Sequence, residues 1–394
     1  MQNIKNQSFK NKRVLIRVDF NVPLDDSQEI TDISRISAAV PTIKKVLANG
    51  GVPVIISHLG RPNGKDPALS LYPVAKKLAK ILNRNVIFLD NCVGQKVKSK
   101  LNNSVYGEIY LLENLRFYKE EVSGDIVFAK KLASLADIYI NDAFGTSHRA
   151  HASTYGIAQF FKKDKYCGLL LEKEISSLNS VFKNPNRPFT AIIGGAKISS
   201  KIDVLISLLN NVDKLIIGGG MAYTFVAAKK GDVGKSIFEA NKIKAALEII
   251  KKAKENNVSL VLPVDSVNSV SFNDQSASSV SEINKIPANE MGLDIGPKSI
   301  DLFSEEILSS KTILWNGPMG VFEFSNFSEG TLSVGKSICE STEKGAFSLV
   351  GGGDSIAAIK KFNLTNGISY ISTGGGAMLE YLEGKELPAL KALL

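Results

Sequence analysis

The chain of 394 residues has only three cysteines, Cys92, Cys167 and Cys339, and none of them belongs to a CxxC pair. This scarcity argues against a disulfide framework and against a zinc site, and it fits a reducing cytosol. Apolar runs are also short, because none approaches the ~18–20 residues that a membrane span needs. The N-terminus lacks the apolar segment of a signal peptide. We therefore expect a cytoplasmic protein with no membrane partner.

Two familiar nucleotide-binding fingerprints are missing or misplaced. No GxGxxG follows a predicted strand, which counts against a dinucleotide-binding site. Residues 330–337 match the P-loop pattern GxxxxGK[ST] letter for letter. A P-loop needs a buried strand in front of it, whereas the polar residues 323–329 precede this match and the segment reads as a helix. We interpret the match as accidental.

The net charge of +9 is spread over scattered lysines. Even the densest group, at residues 251–254, ends an amphipathic helical pattern. Nucleic-acid binding would instead predict basic runs interleaved with aromatic residues, so we expect a solvated surface and no nucleic-acid partner. No apolar surface strip argues for an oligomer, and a monomer is the default expectation.

Short apolar runs alternate with amphipathic stretches, a pattern typical of βαβ units around a parallel sheet. The length exceeds what one hydrophobic core usually supports, so two domains are expected. The first series of predicted strands covers residues 13–18, 52–57, 86–89, 108–112 and 137–140, with a helix over 32–48. After a helical stretch at 169–182, the second series covers 189–193, 214–217, 259–262, 312–314, 347–350 and 369–371. We predict the α/β class, with two doubly wound parallel-sheet (Rossmann-like) domains joined by a hinge helix.

In open parallel sheets, ligands bind at the carboxyl ends of the strands. In the first half of the chain, the residues after the predicted strands include all three histidines and several arginines: His58, His148, His151, Arg61, Arg116 and Arg149, with Arg35 at the start of the first helix. Turn formation alone would account for Asp19 and Asn21, but not for this convergence. Because guanidinium groups match carboxylates and phosphates, the pattern predicts a substrate that is anionic at each end.

The strand ends of the second half are rich in glycine, at residues 194–195, 218–220, 317, 351–353 and 374–376. Glycines let backbone N–H groups approach a ligand, and helix N-termini favour anions. Helix packing also selects glycine, but the repetition after successive strands favours the binding interpretation. Asp354 would then hold Mg²⁺ and Ser355 would lie near phosphates. Lys197 and Lys201 are four residues apart, one helical turn, so both are expected to point at one phosphate chain.

Longer strings carry a family resemblance. They are residues 17–23 (RVDFNVP), 57–62 (SHLGRP), 111–117 (LLENLRF), 141–153 (NDAFGTSHRAHAS), 194–197 (GGAK), 218–225 (GGGMAYTF), 314–323 (LWNGPMGVFE), 351–355 (GGGDS) and 373–377 (TGGGA). On these strings the chain resembles the phosphoglycerate kinase family nearly from end to end. The resemblance implies reversible, Mg²⁺-dependent phosphoryl transfer between 1,3-bisphosphoglycerate with ADP and 3-phosphoglycerate with ATP, in glycolysis and gluconeogenesis, by hinge-bending domain closure.

The resemblance also implies roles for single residues. 3-Phosphoglycerate would be held by Asp19, Phe20, Asn21, Arg35, His58, Leu59, Gly60, Arg61, Arg116 and Arg149, with Arg17 and His151 supporting the basic patch. ATP or ADP would be held by Lys201, Gly292, Glu323, Gly352, Gly353, Asp354 and Ser355, with Gly292 beside the adenine, Glu323 on the ribose and Asp354 on Mg²⁺. Catalysis would depend on Arg35 and Lys197, on either side of the phosphoryl group in flight, and on Gly353.

The pattern and the resemblance together predict the domain bounds. Residues 1–168 would bind 3-phosphoglycerate, with the tail 378–394 packing back on them; 169–185 would form the interdomain helix, and 186–377 would bind the nucleotide. Ser355 stands where the family more often has threonine. After Asp265, the sequence Asn268-Ser269-Val270 interrupts the usual alanine–aspartate pair, which leaves the role of this loop open.

Two other functions are less well supported by the sequence than the kinase. A dehydrogenase on a doubly wound fold is opposed by the missing GxGxxG and by the arginine cluster. A non-catalytic anion-binding protein is opposed by the joint presence of Lys197, Lys201, Arg35 and Asp354. The kinase needs no general base, because the acceptor is a carboxylate that is already ionised, and its other requirement is a set of positive charges.

Overall fold

The computed structural model describes all residues from Met1 to Leu394, and their contacts divide the chain into two compact units. Unit 1 comprises Met1–Ser176 and Glu386–Leu394, and unit 2 comprises Ser177–Lys385. The boundary at residues 176–177 falls within the predicted interdomain helix 169–185, and the boundary at 385–386 falls within the predicted tail 378–394. Each of these two segments is therefore divided between the units. The bounds inferred from the sequence stay a prediction. None of the helices is long and apolar enough to cross a membrane.

Unit 1 is built on a six-stranded sheet in which all paired strands run parallel. Its strands are β1 (Arg13–Val18), β2 (Val52–Ile56), β3 (Ile87–Leu89), β4 (Tyr110–Leu112), β5 (Ile138–Asp142) and β6 (Lys165–Cys167), in the order β3-β4-β2-β1-β5-β6. Its helices are α1 (Ser34–Ala48), α2 (Tyr72–Leu82), α3 (Gln95–Asn102), α4 (Lys119–Ser123), α5 (Ile126–Ala133) and α6 (Leu169–Phe182), the last of which continues into unit 2. A short helix, Pro388–Lys391, lies in the C-terminal tail.

The central position of β1 follows from its sequence. RVLIRV is β-branched and aliphatic, and every residue after Arg13 is buried, as expected for a parallel strand covered on both faces. Ile36, Ile43 and Val46 on α1 join the same core cluster as Val14 and Ile16. The neighbours of β1 are β2 and β5, so the strand connections leave in opposite directions between β1 and β5. In such sheets this switch point is where a ligand binds.

The C-terminal tail is part of unit 1 through specific contacts. The backbone N–H of Ala389 donates to the carbonyl of Ser147 at 3.1 Å. Lys165 Nζ donates to the carbonyl of Ala392 at 2.7 Å, and the Leu393 side chain is buried. The last residues of the chain therefore complete a unit whose other residues come from the first half.

Unit 2 repeats the architecture with additions. Its large sheet has the order β10-β8-β7-β15-β16-β17 and consists of β7 (Phe189–Ile193), β8 (Lys214–Ile217), β10 (Ser259–Val261), β15 (Thr312–Asn316), β16 (Phe347–Gly351) and β17 (Tyr370–Ser372). The smaller strands are β9 (Asp232–Val233), β11 (Asp265–Ser269), β12 (Ser278–Glu282), β13 (Lys285–Ile286) and β14 (Met291–Ile295). The helices are α7 (Ile202–Leu208), α8 (Met221–Ala228), α9 (Ile243–Glu255), α10 (Pro297–Leu308), α11 (Glu329–Glu343), α12 (Gly353–Lys361) and α13 (Gly376–Leu382). The switch point lies between β7 and β15.

The segment after Asp265, whose role the sequence left open, forms a separate antiparallel sheet. Strand β11 lies between β12 and β14, and the register shifts between Val267 and Asn268. The Asn268 side chain is buried and donates from Nδ2 to Ser281 Oγ at 2.8 Å. The polar residues that interrupt the family pattern thus lie in the middle strand of this sheet, beside the strand that carries Gly292.

The fold class predicted from the sequence is confirmed, and several local predictions need correction. The helix predicted over 32–48 begins at Ser34, because Asp32 Oδ1 accepts from the Ser34 N–H at 2.8 Å and forms a turn before the helix. Helix α12 begins at Gly353, within the glycine-rich strand end 351–353 noted in the sequence. The P-loop look-alike at 330–337 lies within α11, as predicted. Strand β6 and the smaller strands of unit 2 were not predicted.

Candidate active site

In unit 1, the predicted ligand residues gather at the carboxyl ends of β1, β2, β4 and β5. Arg17 lies near the end of β1, and Asp19 and Asn21 follow this strand. His58 follows β2, and Arg116 lies in the 3₁₀ turn Leu115–Phe117 after β4. The segment that carries His148, Arg149 and His151 follows β5. Parallel pairing in register brings these four strand ends to one edge of the sheet.

Hydrogen bonds join three of these loops. Arg35 Nη1 donates to Asp19 Oδ1 at 3.1 Å and to the carbonyl of Asn21 at 2.9 Å. The Asn21 side chain accepts from the Gly60 N–H at 2.8 Å. Arg116 Nη1 in turn donates to the carbonyl of Gly60 at 2.6 Å. The half-buried Arg35 and Arg116 are therefore pre-positioned by the carbonyls of Asn21 and Gly60, and Arg35 also by the Asp19 side chain.

Two of the histidines at this edge, His58 and His151, are neutral at neutral pH. Burial, followed by the charges of Arg17, Arg116 and Arg35, holds the pKa of His58 well below its usual value. Burial and then Arg17 and Arg116 lower the pKa of His151 to about 4. The arginines keep their charge, because a guanidinium does not deprotonate in a protein. The positive charge available to an anion at this edge is thus carried by arginine.

The structure separates the predicted residues of unit 1 by exposure. Arg61 and Arg149 are exposed, and Arg35 and Arg116 are half-buried. The side chains of Phe20 and Leu59 are buried in the hydrophobic core, so neither side chain is available to a ligand. Their backbone N–H groups donate to Ser57 Oγ at 2.8 Å and to Asn114 Oδ1 at 3.2 Å. These two positions shape the site through the backbone.

Unit 2 contains a cavity of about 470 Å³. Its walls come from the turns after β7 and β8, from strand β14, and from the segment after β15. Three predicted nucleotide residues, Gly292, Glu323 and Asp354, lie in the wall. The other lining residues are Gly195, Ala196, Gly219, Gly220, Tyr223, Lys235, Ile237, Phe272, Met291, Leu293, Pro318, Met319, Gly320 and Val321.

Gly292 lets strand β14 pack closely against Tyr223 in the wall of this cavity. A Cβ at this position would lie 2.0 Å from Tyr223 Oη, and that hydroxyl is fixed by a 2.9 Å hydrogen bond to Ser266 Oγ. The Gly292 N–H donates to Ser236 Oγ at 2.9 Å. A larger residue at 292 would push β14 and Tyr223 apart, so glycine is required for the shape of this wall.

Sequence reasoning did not identify the apolar lining of this cavity. Tyr223 and Met319 lie within two of the strings that carry the resemblance. The sequence therefore contained a signal for the lining, but only the glycines of these strings were interpreted as ligand-binding residues. Phe272 was missed because it lies in the segment whose role was left open. Its ring is largely exposed and packs against Phe324 with the centroids 4.9 Å apart.

A buried carboxylate lies behind the cavity wall. Asp294, on β14, accepts from the backbone N–H groups of Gly330 and Ile295 at 2.7 and 2.9 Å. Burial raises the pKa of Asp294 to about 8, and no cation opposes the shift. A Cβ on Gly320 would lie 2.2 Å from this carboxylate, so Gly320 is required for the close approach of the lining segment.

The two candidate lysines differ in their surroundings. Lys201 Nζ donates to the carbonyls of Gly194 and Asn316, at 2.8 and 2.9 Å, and so lies at the switch point between β7 and β15. Burial lowers the pKa of Lys201 to about 8, against the opposing effect of Asp354. Lys197 is exposed, has extended backbone, and is followed by the 3₁₀ turn Ile198–Ser200. The prediction that the two lysines lie one turn apart on a helix is therefore wrong.

The N-terminus of α12 is the candidate anion-binding part of this site. Gly352 has a φ of +97°, and a Cβ there would lie 2.6 Å from Asn316 Nδ2. A Cβ on Gly353 would meet nothing within 4 Å, so the space in front of the helix is open. Ser355 is buried, and its Oγ accepts from the Gly317 N–H at 2.6 Å. Ser355 therefore fixes the turn after β15, while the helix presents its free N–H groups to the opening.

Asp354 fits a magnesium ion that is bound together with phosphates. Its carboxylate is exposed in the first turn of α12 and lines the cavity. No group of three or more His, Cys, Asp or Glu side chains could hold a metal ion elsewhere in residues 1–394. Mg²⁺ in phosphoryl-transfer sites commonly uses one or two carboxylates and completes its shell with phosphates and water. A single carboxylate beside an anion-binding helix end meets this requirement.

Comparison with known proteins places this geometry in a family. The family model described as phosphoglycerate kinase matches residues 4–385. A phosphoglycerate kinase of Chlorobium phaeobacteroides (strain BS1) is 50% identical over 387 residues, which cover 98% of this chain and 97% of that protein. Phosphoglycerate kinase 3, cytosolic, of Arabidopsis thaliana is 50% identical over 390 residues, covering 99% and 97%. The solved structure of phosphoglycerate kinase from Coxiella burnetii is 43% identical, covers 99% of this chain and 98% of that chain, and superimposes with a TM-score of 0.89.

Proposed function

The chain belongs to the phosphoglycerate kinase family, and from this premise we propose that it catalyses reversible phosphoryl transfer between 1,3-bisphosphoglycerate with ADP and 3-phosphoglycerate with ATP. It is a phosphotransferase that uses a carboxyl group as acceptor. The observation that supports this most is the presence of two unlike anion sites in one chain. Unit 1 offers arginines at its strand ends, and unit 2 offers a cavity that ends at a helix N-terminus.

Unit 1 is the site for 3-phosphoglycerate in this proposal. The exposed Arg61 and Arg149 and the half-buried Arg116 provide charge for the phosphate, since their guanidinium groups match its oxygens. Asp19 and Asn21 hold the geometry of Arg35 and of the Gly60 turn. His58 is neutral, so it contributes a hydrogen bond and no charge. The substrate is thereby bound by charges that do not titrate near neutral pH.

Unit 2 is the site for ATP or ADP. The wall at Gly292 takes the adenine, Glu323 reaches the ribose, and residues 352–355 receive the phosphates. Asp354 holds Mg²⁺, which when bound neutralises phosphate charge. Lys201 holds the turns after β7 and β15 together, and its nitrogen lies where phosphates would approach them. Lys197, whose side chain is exposed, is free to follow the transferring group.

The chemistry requires positioning and positive charge. The attacking carboxylate of 3-phosphoglycerate is already ionised, so no group has to remove a proton, and the neutral histidines agree with this. Arg35, Lys197 and the backbone at Gly353 neutralise the charge that develops on the phosphoryl group. Transfer to water has to be prevented, so we infer that the two units close during turnover, with α6 as the hinge. We place the reaction in the cytoplasm and expect a monomer.

A coupled assay tests the proposal. Purified protein with ATP, Mg²⁺ and 3-phosphoglycerate should produce ADP, and omission of any one of them should stop the reaction. Lys197→Ala should lower kcat far more than it weakens nucleotide binding, because this lysine is assigned to the transition state. Lys244→Ala, at an exposed position on α9, is the matched control and should keep full activity. A folded protein that does not turn over 3-phosphoglycerate would refute the proposed function.

A further inference from the structure

Arg17 lies near the end of the central strand β1, and its side chain is fully buried. Each of its three nitrogens has a partner: Nε donates to Ser153 Oγ at 2.9 Å, Nη1 donates to the carbonyl of Val18, and Nη2 lies 3.2 Å from His58 Nδ1. A guanidinium in these surroundings does not reach a ligand at the open edge of the sheet. It acts on a ligand only through its neighbours.

The contact with Arg17 determines which nitrogen of His58 carries a proton. Guanidinium nitrogens only donate, so His58 Nδ1 has to accept through its lone pair. Burial, then Arg17, Arg116, Arg35 and His151, holds the pKa of His58 well below its usual value, and the ring is neutral at neutral pH. A neutral imidazole has one N–H group, which therefore lies on Nε2.

The Nε2–H group faces the predicted substrate site. Nε2 lies 3.9 Å from Asp19 Oδ1, the same oxygen that accepts from Arg35 Nη1 at 3.1 Å. A histidine held in this tautomer donates a hydrogen bond to an oxygen of an anion and neither gains nor loses charge. The arginines around it supply the charge, and His58 supplies direction.

Arg17 is itself held by a buried pair of contacts on the other side. Ser153 Oγ donates to Glu121 Oε1 at 2.6 Å, and the Ser153 backbone N–H donates to Glu121 Oε2 at 2.9 Å. Glu121 is fully buried, and the charge of Arg17 opposes the rise that burial causes in the pKa of Glu121. Because Arg17 cannot accept, the Ser153 proton points to Glu121 and its lone pair points to Arg17. The hydroxyl thus has one orientation.

We propose that Glu121, Ser153 and Arg17 form a positioning chain that holds His58 as the neutral Nε2–H tautomer, a fixed hydrogen-bond donor to an oxygen of the anionic substrate in unit 1. The identity of that substrate rests on the proposed function, whereas the tautomer is a property of the free protein. The three members are positioning residues, because they act through His58. This positioning chain runs from α4, through the segment after β5, to the end of β1.

Nitrogen NMR of the full chain labelled with ¹⁵N-histidine tests the tautomer directly. The sequence has three histidines, so the spectrum is simple, and His58→Gln assigns the His58 signals. We expect a lone-pair Nδ1 and a protonated Nε2 for His58, unchanged from about pH 5 to about pH 8. A protonated Nδ1, or titration of His58 to imidazolium within this range, overturns the proposal.

Ser153→Ala tests the positioning chain that holds Arg17. Removing the hydroxyl should shift the His58 signals towards a mixture of tautomers and raise KM for 3-phosphoglycerate about tenfold, with kcat changed little. Ser147→Ala is the matched control, because Ser147 is also buried in the same segment but its hydroxyl donates to the Ala143 carbonyl. Unchanged His58 signals in Ser153→Ala, or equal changes in the control, overturn the proposal. A wild-type protein with the expected tautomer and no turnover would refute the proposed function instead.

Discussion

Units 1 and 2 both carry a six-stranded parallel sheet with a switch point beside its first strand, yet the two switch points are filled with different groups. In unit 1, side chains at the carboxyl edge supply the charge, with Arg35 and Arg116 held by hydrogen bonds. In unit 2, the edge consists of glycine turns and a helix N-terminus, and Lys201 donates to backbone carbonyls. In the proposed function, one architecture therefore offers two ways to bind phosphate.

The two ways have different structural requirements. A side-chain site needs partners that orient long, flexible arginines, and unit 1 provides them in Asp19, Asn21 and Gly60. A backbone site needs unusual dihedral angles and empty space, and unit 2 provides these at Gly352 and Gly353. We expect substitutions in unit 1 to act through lost charge and direction. Substitutions in unit 2 should act through added bulk.

The largest expected effect is metal removal, which acts only through unit 2. Chelation with EDTA should abolish turnover, because Asp354 is proposed to hold Mg²⁺ together with the nucleotide phosphates. We expect the melting temperature of the nucleotide-free protein to stay the same, since no group of three or more His, Cys, Asp or Glu side chains in residues 1–394 is placed to hold a metal ion. Turnover and thermal unfolding with and without chelator, followed by addition of Mg²⁺, measure both. A melting temperature that falls on chelation would contradict this prediction.

Arg35→Ala should cause the next largest loss. Its guanidinium lies between Asp19 and the Asn21 carbonyl, and we propose that it neutralises the transferring group. Loss of one such donor lowers kcat by about 10²–10³-fold. Steady-state kinetics with saturating ATP checks this. Arg84→Ala, at an exposed arginine after α2, is the control and should behave as wild type.

Gly353→Ala should separate activity from stability in unit 2. The added Cβ meets nothing within 4 Å in the protein, and alanine at the start of α12 favours the folded state by about 0.4–1 kcal/mol. The same methyl group would occupy the space in front of the helix, so kcat should fall about 10–100-fold. Ala357→Gly, exposed on the same helix, should show the opposite pattern of lower stability with unchanged activity. If Gly353→Ala keeps full activity, the backbone at 353 has no part in transfer.

The smallest expected effect on turnover comes from the buried carboxylates, which act on stability. Glu121 in unit 1 is opposed by Arg17, whereas Asp294 in unit 2 has only backbone donors, and burial raises its pKa to about 8. The folded state then binds more protons than the unfolded state between about pH 4 and about pH 8. Stability therefore falls as the pH rises through this window, by at most about 1.4 kcal/mol per pH unit from this group. Asp294→Asn should remove this dependence.

Urea unfolding at several pH values measures the difference between wild type and Asp294→Asn. This difference should become less favourable to the wild type as the pH rises. Asp301→Asn, at an exposed position on α10, is the control and should give a constant difference. A constant difference for Asp294→Asn as well would show that Asp294 is ionised throughout.

The sequence predicted the large sheets well because their strands are continuous apolar runs. Residues 13–18, 189–193 and 214–217 were predicted with the bounds that the structure shows. Strand β12, in contrast, has the polar sequence SSVSE. Only its antiparallel pairing with β11 identifies it as a strand. Short polar strands take their stability from partners that are distant in sequence, so local patterns do not indicate them.

The residues of the candidate site likewise fall into a group that could be predicted from the sequence and a group that could not. Arginines and histidines at strand ends stand out because they are rare after apolar runs, so their assembly at one edge could be predicted. The burial of Arg17 and the hydroxyl bridge through Ser153 could not, because both depend on which loops meet. The apolar cavity lining was missed because Tyr223 and Met319 look like ordinary core residues. The break between Lys197 and Lys201 was missed because a spacing of four fits several backbone paths.

The return of Glu386–Leu394 to unit 1 has a consequence for synthesis on the ribosome. All of unit 2 is synthesised before Ala389, which pairs with Ser147, and before Leu393, which is buried in unit 1. Unit 1 therefore stays incomplete while unit 2 is made. The first unit to be started is thus the last to be finished. A chain that stops at Lys385 lacks these contacts, so we expect proteases to cut its unit 1 more readily than its unit 2.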